Sequence, residues 1–383
     1  MSQTVNVSGA AMVPFGRHDE RSLQDLGQEA ILAALDDAGI DRAEIEATYC
    51  GNVLGGMLPG QRTLRDLEMS GPPVFNVENA CSSGATAVHL ASQALRLGEY
   101  ETVLVFGVEK LTALGGGALP LENSDYKTEW NTSRGLIMPA VYAMRARRYI
   151  EDHGIGLDIL ADISVKNHDH ACLNPYAKYH KPMTREEILS SRMVADPLTL
   201  YQCCPSSVDG AAALILTTKP VSKRGRTVRL LASVIQSGRH EPGCDDITLD
   251  EITSRTARLA YERASLGPED IDVIELHDAF TIAELIYYES LELCPRGEAS
   301  RLVTEKQTSL GGSTVVNPSG GLLGKGHPLG ATGVAQMVEI VWQLEGRADD
   351  RQVEGASVGL AHCTGGGISG MDHAACAVHI LGR

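Results

Sequence analysis

Short apolar runs alternate with amphipathic segments along most of the chain. Residues 5–13 and 102–107 have the apolar pattern of strands, and residues 22–39 repeat apolar positions with helical spacing between a capping Ser22 and Gly39. Because strands and helices alternate in this order, the sequence predicts an α/β protein with a mainly parallel sheet in each half of the chain.

The second half of the chain repeats the order of elements in the first half. One weak echo carries little weight, but several in the same order indicate an internal duplication. The matching segments are residues 5–13 with 228–235, 22–39 with 253–264, 39–48 with 267–276, 84–86 with 330–332, 102–106 with 357–361, and 211–217 with 374–381. We therefore predict two related domains, residues 1–225 and residues 226–383.

The register of the repeat pairs a cysteine with a histidine. Gly84 is equivalent to Gly330, and the same offset makes Cys81 equivalent to His327, each at the start of a predicted helix. Two pseudo-symmetric domains would bring both helix starts to their shared interface, where pockets commonly form. The repeat therefore places a candidate site between the two halves.

One long segment distinguishes the halves. Residues 109–205 have no counterpart in the second half, and they include Trp130, several tyrosines and a basic group formed by Arg145, Arg147 and Arg148. We predict an inserted loop subdomain that folds over the site and selects the substrate, since loops on a rigid scaffold commonly do so. An insert for dimerisation or stability is the alternative.

Composition and charge exclude some classes of function. The 383 residues include 33 basic and 49 acidic ones, for a formal net charge of -16, which argues against nucleic-acid binding but permits a local basic patch for an anionic ligand. No apolar run has the length of a membrane span, and the N-terminus lacks the features of a signal peptide. Nine cysteines without regular spacing suggest free thiols, and we expect a cytoplasmic protein.

The glycine-rich segment 317–333 leads into a predicted helix and contains His327. It is not a phosphate-binding loop, because Gly326 follows Lys325 where such loops carry Ser or Thr. A turn with a chance histidine is the alternative to a functional loop. The density of glycine indicates a backbone that passes close to a neighbour or adopts dihedral angles that other residues avoid.

Two thiols and two imidazoles lie at predicted strand or helix ends. Cys81 precedes a helix, whose N–H groups would lower the pKa of the thiol, and His327 is the candidate base. Cys363 and His277 follow apolar strands, and the small residues after Cys363, including Gly365, leave N–H groups free to bind an oxyanion. Taken singly, each could be a buried structural residue.

The motifs around these residues resemble those of the thiolases, over nearly the whole chain. Residues 79–84 resemble the nucleophile motif, residues 317–333 the Gly-His-Pro block, and residues 363–365 the Cys-x-Gly motif. The segment 277–280, His-Asp-Ala-Phe, replaces the commoner Asn-Glu-Ala-Phe and resembles the branch related to sterol-carrier-protein thiolases. That branch typically has His-Asp-Cys-Phe, but here Ala279 occupies the Cys position.

The resemblance implies a fold, a reaction and roles for these residues. The fold would be two pseudo-symmetric βαβαβαββ halves in a five-layered α-β-α-β-α core, and the reaction would be acyl transfer that makes or cleaves a 3-oxoacyl-CoA. Cys81 would be the nucleophile, His327 its base and Cys363 the acid/base. His277 and His327 would form one oxyanion hole, and the N–H groups of Cys81 and Gly365 a second.

The resemblance also implies coenzyme A as a co-substrate, no permanently bound cofactor, and a homodimer or tetramer. A subunit that requires a small OB-fold, zinc-ribbon partner is one alternative. A ketoacyl-synthase-like condensing enzyme is a second, although such enzymes lack a second reactive thiol like Cys363. A non-catalytic acyl-CoA-binding protein is a third. No metal site is expected, because neither residues 168–172 nor the pair Cys203 and Cys204 has a familiar zinc spacing.

Overall fold

The computed structural model describes residues 3–115, 126–221, 227–239, 246–367 and 373–383. The predicted boundary between residues 225 and 226 lies outside these ranges and stays a prediction. Within the described part, no helix has both the length and the apolar character that a bilayer crossing requires.

The strands follow the predicted apolar runs, because those runs can be buried between layers of helices. They are β1 (Asn6–Met12), β2 (Ala47–Gly51), β3 (Val74–Val77), β4 (Thr102–Lys110), β5 (Met193–Ala195), β6 (Leu198–Thr199), β7 (Asp209–Thr217), β8 (Val228–Ser237), β9 (Val273–Glu275), β10 (Val315–Val316), β11 (Val358–Gly365) and β12 (Ala375–Gly382).

The helices begin and end largely at the signals in the sequence. In the first helix, the Ser22 side chain accepts a hydrogen bond from the Asp25 N–H, and Gly39 ends the helix in the left-handed conformation. The helices are α1 (Leu23–Ala38), α2 (Pro59–Arg65), α3 (Ser83–Leu97), α4 (Tyr126–Ser133), α5 (Met138–His153), α6 (Leu157–Cys172), α7 (Arg185–Leu189), α8 (Glu251–Ala264), α9 (Thr281–Ser290), α10 (Ala299–Thr304), α11 (Gly321–Gly324) and α12 (Leu329–Glu345).

The described strands confirm the duplication. The first half contributes strands in the order β1-β7-β4-β2-β3 and the second half in the order β8-β12-β11-β9-β10. In each half four strands run in one direction and the strand equivalent to β7 runs against them. The two predicted sheets are joined into one, because β1 and β8 lie side by side and pair at Asn6–Arg229 and Val7–Val228.

The helices complete the predicted five layers. Helix α1 packs on β1, β4 and β7 at one outer face, and α8 packs on β8 and β12 at the other. Helices α3 and α12 pack against each other in the middle layer, where α3 contacts β4 and β12 and α12 contacts β4 and β11. The α/β fold class is therefore as predicted.

Glycines allow α3 and α12 to approach at the seam between the halves. A Cβ atom on Gly84 would lie 2.6 Å from the carbonyl oxygen of Gly330, and one on Gly333 would lie 2.4 Å from the backbone nitrogen of Ala85. A Cβ on Gly107 of β4 would lie 2.2 Å from the same Gly330 oxygen. This close contact brings the N-terminal ends of both helices together.

Between β4 and β7 the chain leaves the duplicated core. The described part of this insert contains α4 to α7 and the small hairpin of β5 and β6. Helix α6 packs on α9, α10 and α11, and α5 packs on α9. The insert thus covers the second half next to the predicted site.

Candidate active site

A tight turn between β3 and α3 holds Cys81. Ala80 adopts a left-handed conformation with φ of 48°, which turns the chain sharply before the helix. The Ser83 hydroxyl accepts from the N–H of Asn79 at 2.8 Å and donates to the carbonyl oxygen of Ala80 at 2.6 Å. These bonds fix the turn, and Cys81 keeps partial exposure at its end.

The pKa of the Cys81 thiol is raised, which corrects the expectation of a lowered pKa. Burial of the sulfur raises the pKa of Cys81 to about 12, although the N–H groups of Cys81 and Gly366 oppose this rise. Loss of hydration at the sulfur therefore outweighs the helix end. A thiol with a raised pKa becomes a thiolate at neutral pH only when a base takes its proton.

Buried carboxylates hold the glycine-rich loop that carries His327. Asp278 accepts from the N–H groups of Leu322 and Leu323 at 2.7 and 3.2 Å, and burial, followed by the charge of Glu284, raises the pKa of Asp278 to about 8. Glu275 accepts from the Ser319 N–H at 3.0 Å and pairs with the Nζ of Lys325 at 3.3 Å. The loop is thereby anchored on both sides before it reaches His327.

Hydrogen bonds assign the tautomer of His327. The Thr332 hydroxyl donates to the carbonyl oxygen of Pro328 at 3.0 Å, so it accepts from Nδ1–H of His327 at 2.8 Å. This arrangement leaves Nε2 of His327 as the basic nitrogen. Burial lowers the pKa of His327 to about 3, so the imidazole is neutral at neutral pH.

Cys363 lies between the nucleophile turn and the second imidazole. Its thiol donates to the carbonyl oxygen of Cys81 at 3.2 Å, and its sulfur is 3.5 Å from Nδ1 of His277. The rings of His277 and His327 meet edge to face with centroids 4.9 Å apart. Burial, followed by the positive charges that neighbouring imidazoles would carry, lowers the pKa of His277 well below its usual value.

The structure therefore brings together Cys81, His277, His327 and Cys363. The Sγ atom of Cys81 and one ring nitrogen each of His277 and His327 all lie within 4.8 Å of one another. Two thiols and two neutral imidazoles at one seam can activate a nucleophile, move a proton and bind an oxyanion.

The end of β11 closes the site from the other side. A Cβ on Gly365 would lie 2.3 Å from the carbonyl oxygen of Asn79 and 2.7 Å from the backbone nitrogen of Ser82, so only glycine fits against the turn. The N–H of the next residue, Gly366, acts to lower the pKa of Cys81. Gly365 as an oxyanion donor stays a prediction.

Sequence reasoning missed several polar residues around the site. Glu109, buried at the end of β4, accepts from the N–H groups of Val53, Leu54 and Gly330 and so ties the first half to the start of α12. A carboxylate that follows a continuous apolar strand was the available signal. Tyr142, Tyr287 and His373 form hydrogen bonds with one another between distant segments, and no local pattern marks them.

The residues considered as metal ligands serve other purposes. Nδ1 of His170 bonds the carbonyl oxygen of Asn317 at 2.9 Å, and Nδ1 of His168 bonds the carbonyl oxygen of Ser164 at 2.9 Å. The Cys204 N–H donates to the carbonyl oxygen of Ala279 at 2.8 Å. The bonds of His170 and Cys204 position the insert against the second half, whereas the bond of His168 lies within α6.

The fold and site define a duplicated α/β protein with a thiol and imidazole centre at the seam of its halves. A family model described as "Thiolase, N-terminal domain" matches residues 5–220, and one described as "Thiolase C-terminal domain-like" matches residues 236–383. The chain belongs to the thiolase family and is a thiolase-type acyltransferase.

Relatives in the same family cover nearly the whole chain. Benzoylsuccinyl-CoA thiolase subunit BbsB of Thauera aromatica is 41% identical, over 98% of this chain and 99% of that protein. An acetyl-CoA acetyltransferase of Methanothermobacter thermautotrophicus is 38% identical, over 99% of both chains. Sterol carrier protein 2 of Gallus gallus is 38% identical, over 95% of this chain and 70% of that protein. These relatives confirm the predicted branch.

Solved structures share the fold. The Ltp2-ChsH2(DUF35) aldolase has a TM-score of 0.87 at 23% identity and covers 99% of this chain and 98% of that one. The Acat5 thiolase of Ascaris suum, solved in complex with coenzyme A, has a TM-score of 0.70 at 19% identity, with full coverage of both chains.

Proposed function

We propose that the chain makes or cleaves the carbon–carbon bond of a 3-oxoacyl-CoA through an acyl-enzyme on Cys81, with coenzyme A as the acyl acceptor. The observation that carries this proposal is the contact of the Cys363 thiol with both the Cys81 backbone, at 3.2 Å, and His277, at 3.5 Å. A nucleophilic thiol and a second thiol next to it suit a reaction that needs both an acyl carrier and a proton donor to carbon.

In the cleavage direction, Nε2 of His327 takes the proton of the Cys81 thiol, and the thiolate attacks the 3-oxo carbon. Transfer to a neutral base is required because the pKa of Cys81 is raised by burial to about 12. The attack places negative charge on the 3-oxo oxygen. The N–H groups of Cys81 and Gly365, together with that of Gly366, supply the hydrogen bonds that stabilise this charge.

The bond between C2 and C3 then breaks, and its electron pair stays on C2. Cys363 gives its proton to C2 and so releases the C1–C2 fragment as acetyl-CoA, or as a 2-substituted acyl-CoA when C2 carries a substituent. His277 and His327 stabilise the enolate oxygen that forms during this step. In the condensing direction, Cys363 instead removes the C2 proton of an acyl-CoA.

Coenzyme A completes the cycle. Its thiol gives its proton to the Cys363 thiolate, attacks the acyl group on Cys81 and leaves as a new, shortened acyl-CoA, while the sulfur of Cys81 regains the proton held by His327. The Ascaris suum structure with coenzyme A supports this choice of acceptor, since it shares the fold.

Separate assays of the two chemical steps test the assignment. Cys81→Ala should abolish thiolysis of short, long and aryl-substituted 3-oxoacyl-CoAs. Cys363→Ala should lose thiolysis and exchange of C2 protons with solvent, yet still exchange acyl groups between thiols. Cys172→Ala, at the partly exposed end of α6, is the matched control and should behave as the wild type. Full thiolysis by Cys363→Ala would remove Cys363 from the acid/base role.

We also propose that the protein works as an oligomer. Strand β3 lies at an edge of the sheet, exposes 42% of Phe75, and precedes the Cys81 turn by a few residues. An open edge with an apolar side chain supports pairing with a second copy. Light scattering of the wild type and Phe75→Asp tests this, with a shift to a smaller species expected for the variant.

A small OB-fold, zinc-ribbon partner is the second candidate arrangement. A similar protein is named as a subunit, and a solved structure with this fold is an Ltp2-ChsH2(DUF35) complex. If a partner is required, the chain purified alone will be inactive in thiolysis, and addition of the partner will restore activity. Full activity of the isolated chain would exclude the requirement.

A further inference from the structure

A hydrogen-bonded network of buried polar side chains lies next to Cys363, the second thiol. The carboxylate of Asp250 accepts from Arg145 at 3.2 Å and is 2.9 Å from Nδ1 of His373, whose Nε2 is 2.8 Å from the Tyr142 hydroxyl. The Tyr142 hydroxyl is 3.2 Å from that of Tyr287. All of these side chains are at least nine-tenths buried.

The other end of this network contacts the residues on either side of Cys363 in β11. The Tyr287 hydroxyl is 3.2 Å from the Thr364 hydroxyl. The rings of Tyr287 and His362 pack edge to face, with centroids 4.6 Å apart. Because side chains alternate along a strand, His362 and Thr364 face away from Cys81 whereas Cys363 faces toward it. The polar network therefore contacts β11 on both sides of Cys363.

A second branch returns to the same carboxylate. Nε2 of His362 is 3.0 Å from the Thr253 hydroxyl, and the Thr253 N–H donates to the Asp250 carboxylate at 3.2 Å. Although burial alone would raise it, His373 and Arg145 hold the pKa of Asp250 well below its usual value. One charged group thus anchors both residues that flank Cys363.

We propose that Tyr142, His373 and Asp250 are positioning residues that hold Cys363 at C2 of the substrate. Tyr142 and Arg145 belong to α5 of the insert, so the insert sets the position of the proton donor as well as covering the site. Ionised and hydroxyl groups cost free energy when buried, and an apolar cluster would serve stability at least as well. The inference rests on the role proposed for Cys363.

Hydrogen bonds link this network from Asp250 to Thr364. An ionised Asp250 accepts from Nδ1–H of His373, and Nε2 of His373 is hydrogen-bonded to the Tyr142 hydroxyl. The Tyr142 hydroxyl is bonded to that of Tyr287, and the Tyr287 hydroxyl to that of Thr364. Tyr142 also stacks on Phe280 with ring centroids 4.4 Å apart, which restrains the position of its ring.

Tyr142→Phe removes one hydroxyl from the middle of the polar network and keeps the ring. We expect kcat for thiolysis to fall about ten- to a hundredfold, because small displacements of a reacting group have effects of this size, while KM changes less than about threefold. Acetylation of Cys81 by acetyl-CoA, which does not use Cys363, should keep its wild-type rate. Tyr261→Phe is the matched control, since that hydroxyl donates to the Leu291 carbonyl oxygen away from the site.

Several outcomes would overturn the inference. Wild-type thiolysis by Tyr142→Phe would do so, as would an equal loss of thiolysis and acetylation that follows a fall in melting temperature. If Tyr142→Phe does not fold, Thr364→Val removes the hydroxyl at the other end of the polar network. This variant should also lose thiolysis while it keeps the acetylation of Cys81. Failure of the proposed function can be distinguished from failure of this inference. If the proposed role of Cys363 is wrong, Cys363→Ala will retain thiolysis, whatever the result with Tyr142→Phe.

Discussion

One hydroxyl group determines which nitrogen of His327 can act as the base. Thr332 accepts from Nδ1–H of His327 because its own proton is given to the carbonyl oxygen of Pro328. Thr332→Val keeps the shape but removes the acceptor, so Nε2 is no longer favoured as the free nitrogen. We expect about a ten- to hundredfold loss of kcat in thiolysis, with Thr332→Ser close to the wild type. Equal activity of Val and Ser variants would contradict the tautomer assignment.

The protonation state of Cys81 can be measured directly. Because burial raises the pKa of Cys81 to about 12, we expect its rate of alkylation by iodoacetamide to increase steadily between about pH 7 and pH 10. Peptide mass spectrometry would follow Cys81, with free cysteine as the reference. A rate that is already constant near neutral pH would instead indicate a resting thiolate paired with an imidazolium.

At the residue scale, the sequence predicted which side chains meet but not their electrostatics. Cys81 and His327 follow from the register of the repeat, and Cys363 and His277 from their positions after apolar strands. The direction of the Cys81 pKa shift did not follow, since burial depends on segments far apart in the chain. The N–H of Gly366 was missed for the same reason.

The seam between α3 and α12 is the element on which the geometry of the site depends. Gly330→Ala would place a Cβ 2.7 Å from the carbonyl oxygen of Gly51 and so push the helix away from the first half. We expect a loss of at least about 1–3 kcal/mol in the free energy of unfolding, together with lower activity. Urea denaturation would measure the loss.

Gly16→Ala is the control for this substitution, because a Cβ at Gly16 meets nothing within 4 Å. It should leave unfolding within about 0.5 kcal/mol of the wild type. Similar unfolding of both variants would show that α3 and α12 can separate without cost.

At the element scale, regular patterns were more predictable than long-range polar contacts. Helix α1 follows from its caps and apolar spacing, both of which are local. The joining of β1 to β8 and the contact of Tyr142 with His373 link residues far apart in sequence. Such contacts depend on the final packing, which no local pattern specifies.

The whole molecule should lose stability in mild acid. Burial lowers the pKa of His170, His327, His362 and His379 to about 3, so the unfolded chain binds protons below about pH 6.5 that the folded chain does not. Each such histidine contributes a slope of about 1.4 kcal/mol per pH unit, with stability lost as pH falls. The raised pKa values of the Asp278, Glu109, Glu275 and Asp169 carboxyl groups oppose this trend, but these groups are fewer than the histidines with lowered pKa values.

His379→Gln tests the acid effect away from the catalytic residues. His379 bonds Ser233 and the carbonyl oxygen of Ala85, and glutamine cannot take up a proton when the chain unfolds. The variant should therefore lose less stability than the wild type between about pH 6.5 and pH 5, even if it is less stable at neutral pH. Parallel curves for the two proteins would contradict the assignment of a neutral buried imidazole.

At the scale of the whole molecule, the duplication made two related α/β halves predictable, because each half repeats the same order of elements, and the resemblance to the thiolases supplied the five layers. The insert was predictable as an interruption of the repeat, but its packing on α9 to α11 was not. Its tyrosines and arginines carry no periodic signal, so its connection to Cys363 became visible only in the structure.

The most direct test of the central claim is the mass of the protein after incubation with acetyl-CoA, followed by peptide mapping. We predict that the wild type and Cys363→Ala each gain one acetyl group on Cys81, and that Cys81→Ala gains none. An acetyl group on Cys363, or one retained by Cys81→Ala, would contradict the assignment of the two thiols.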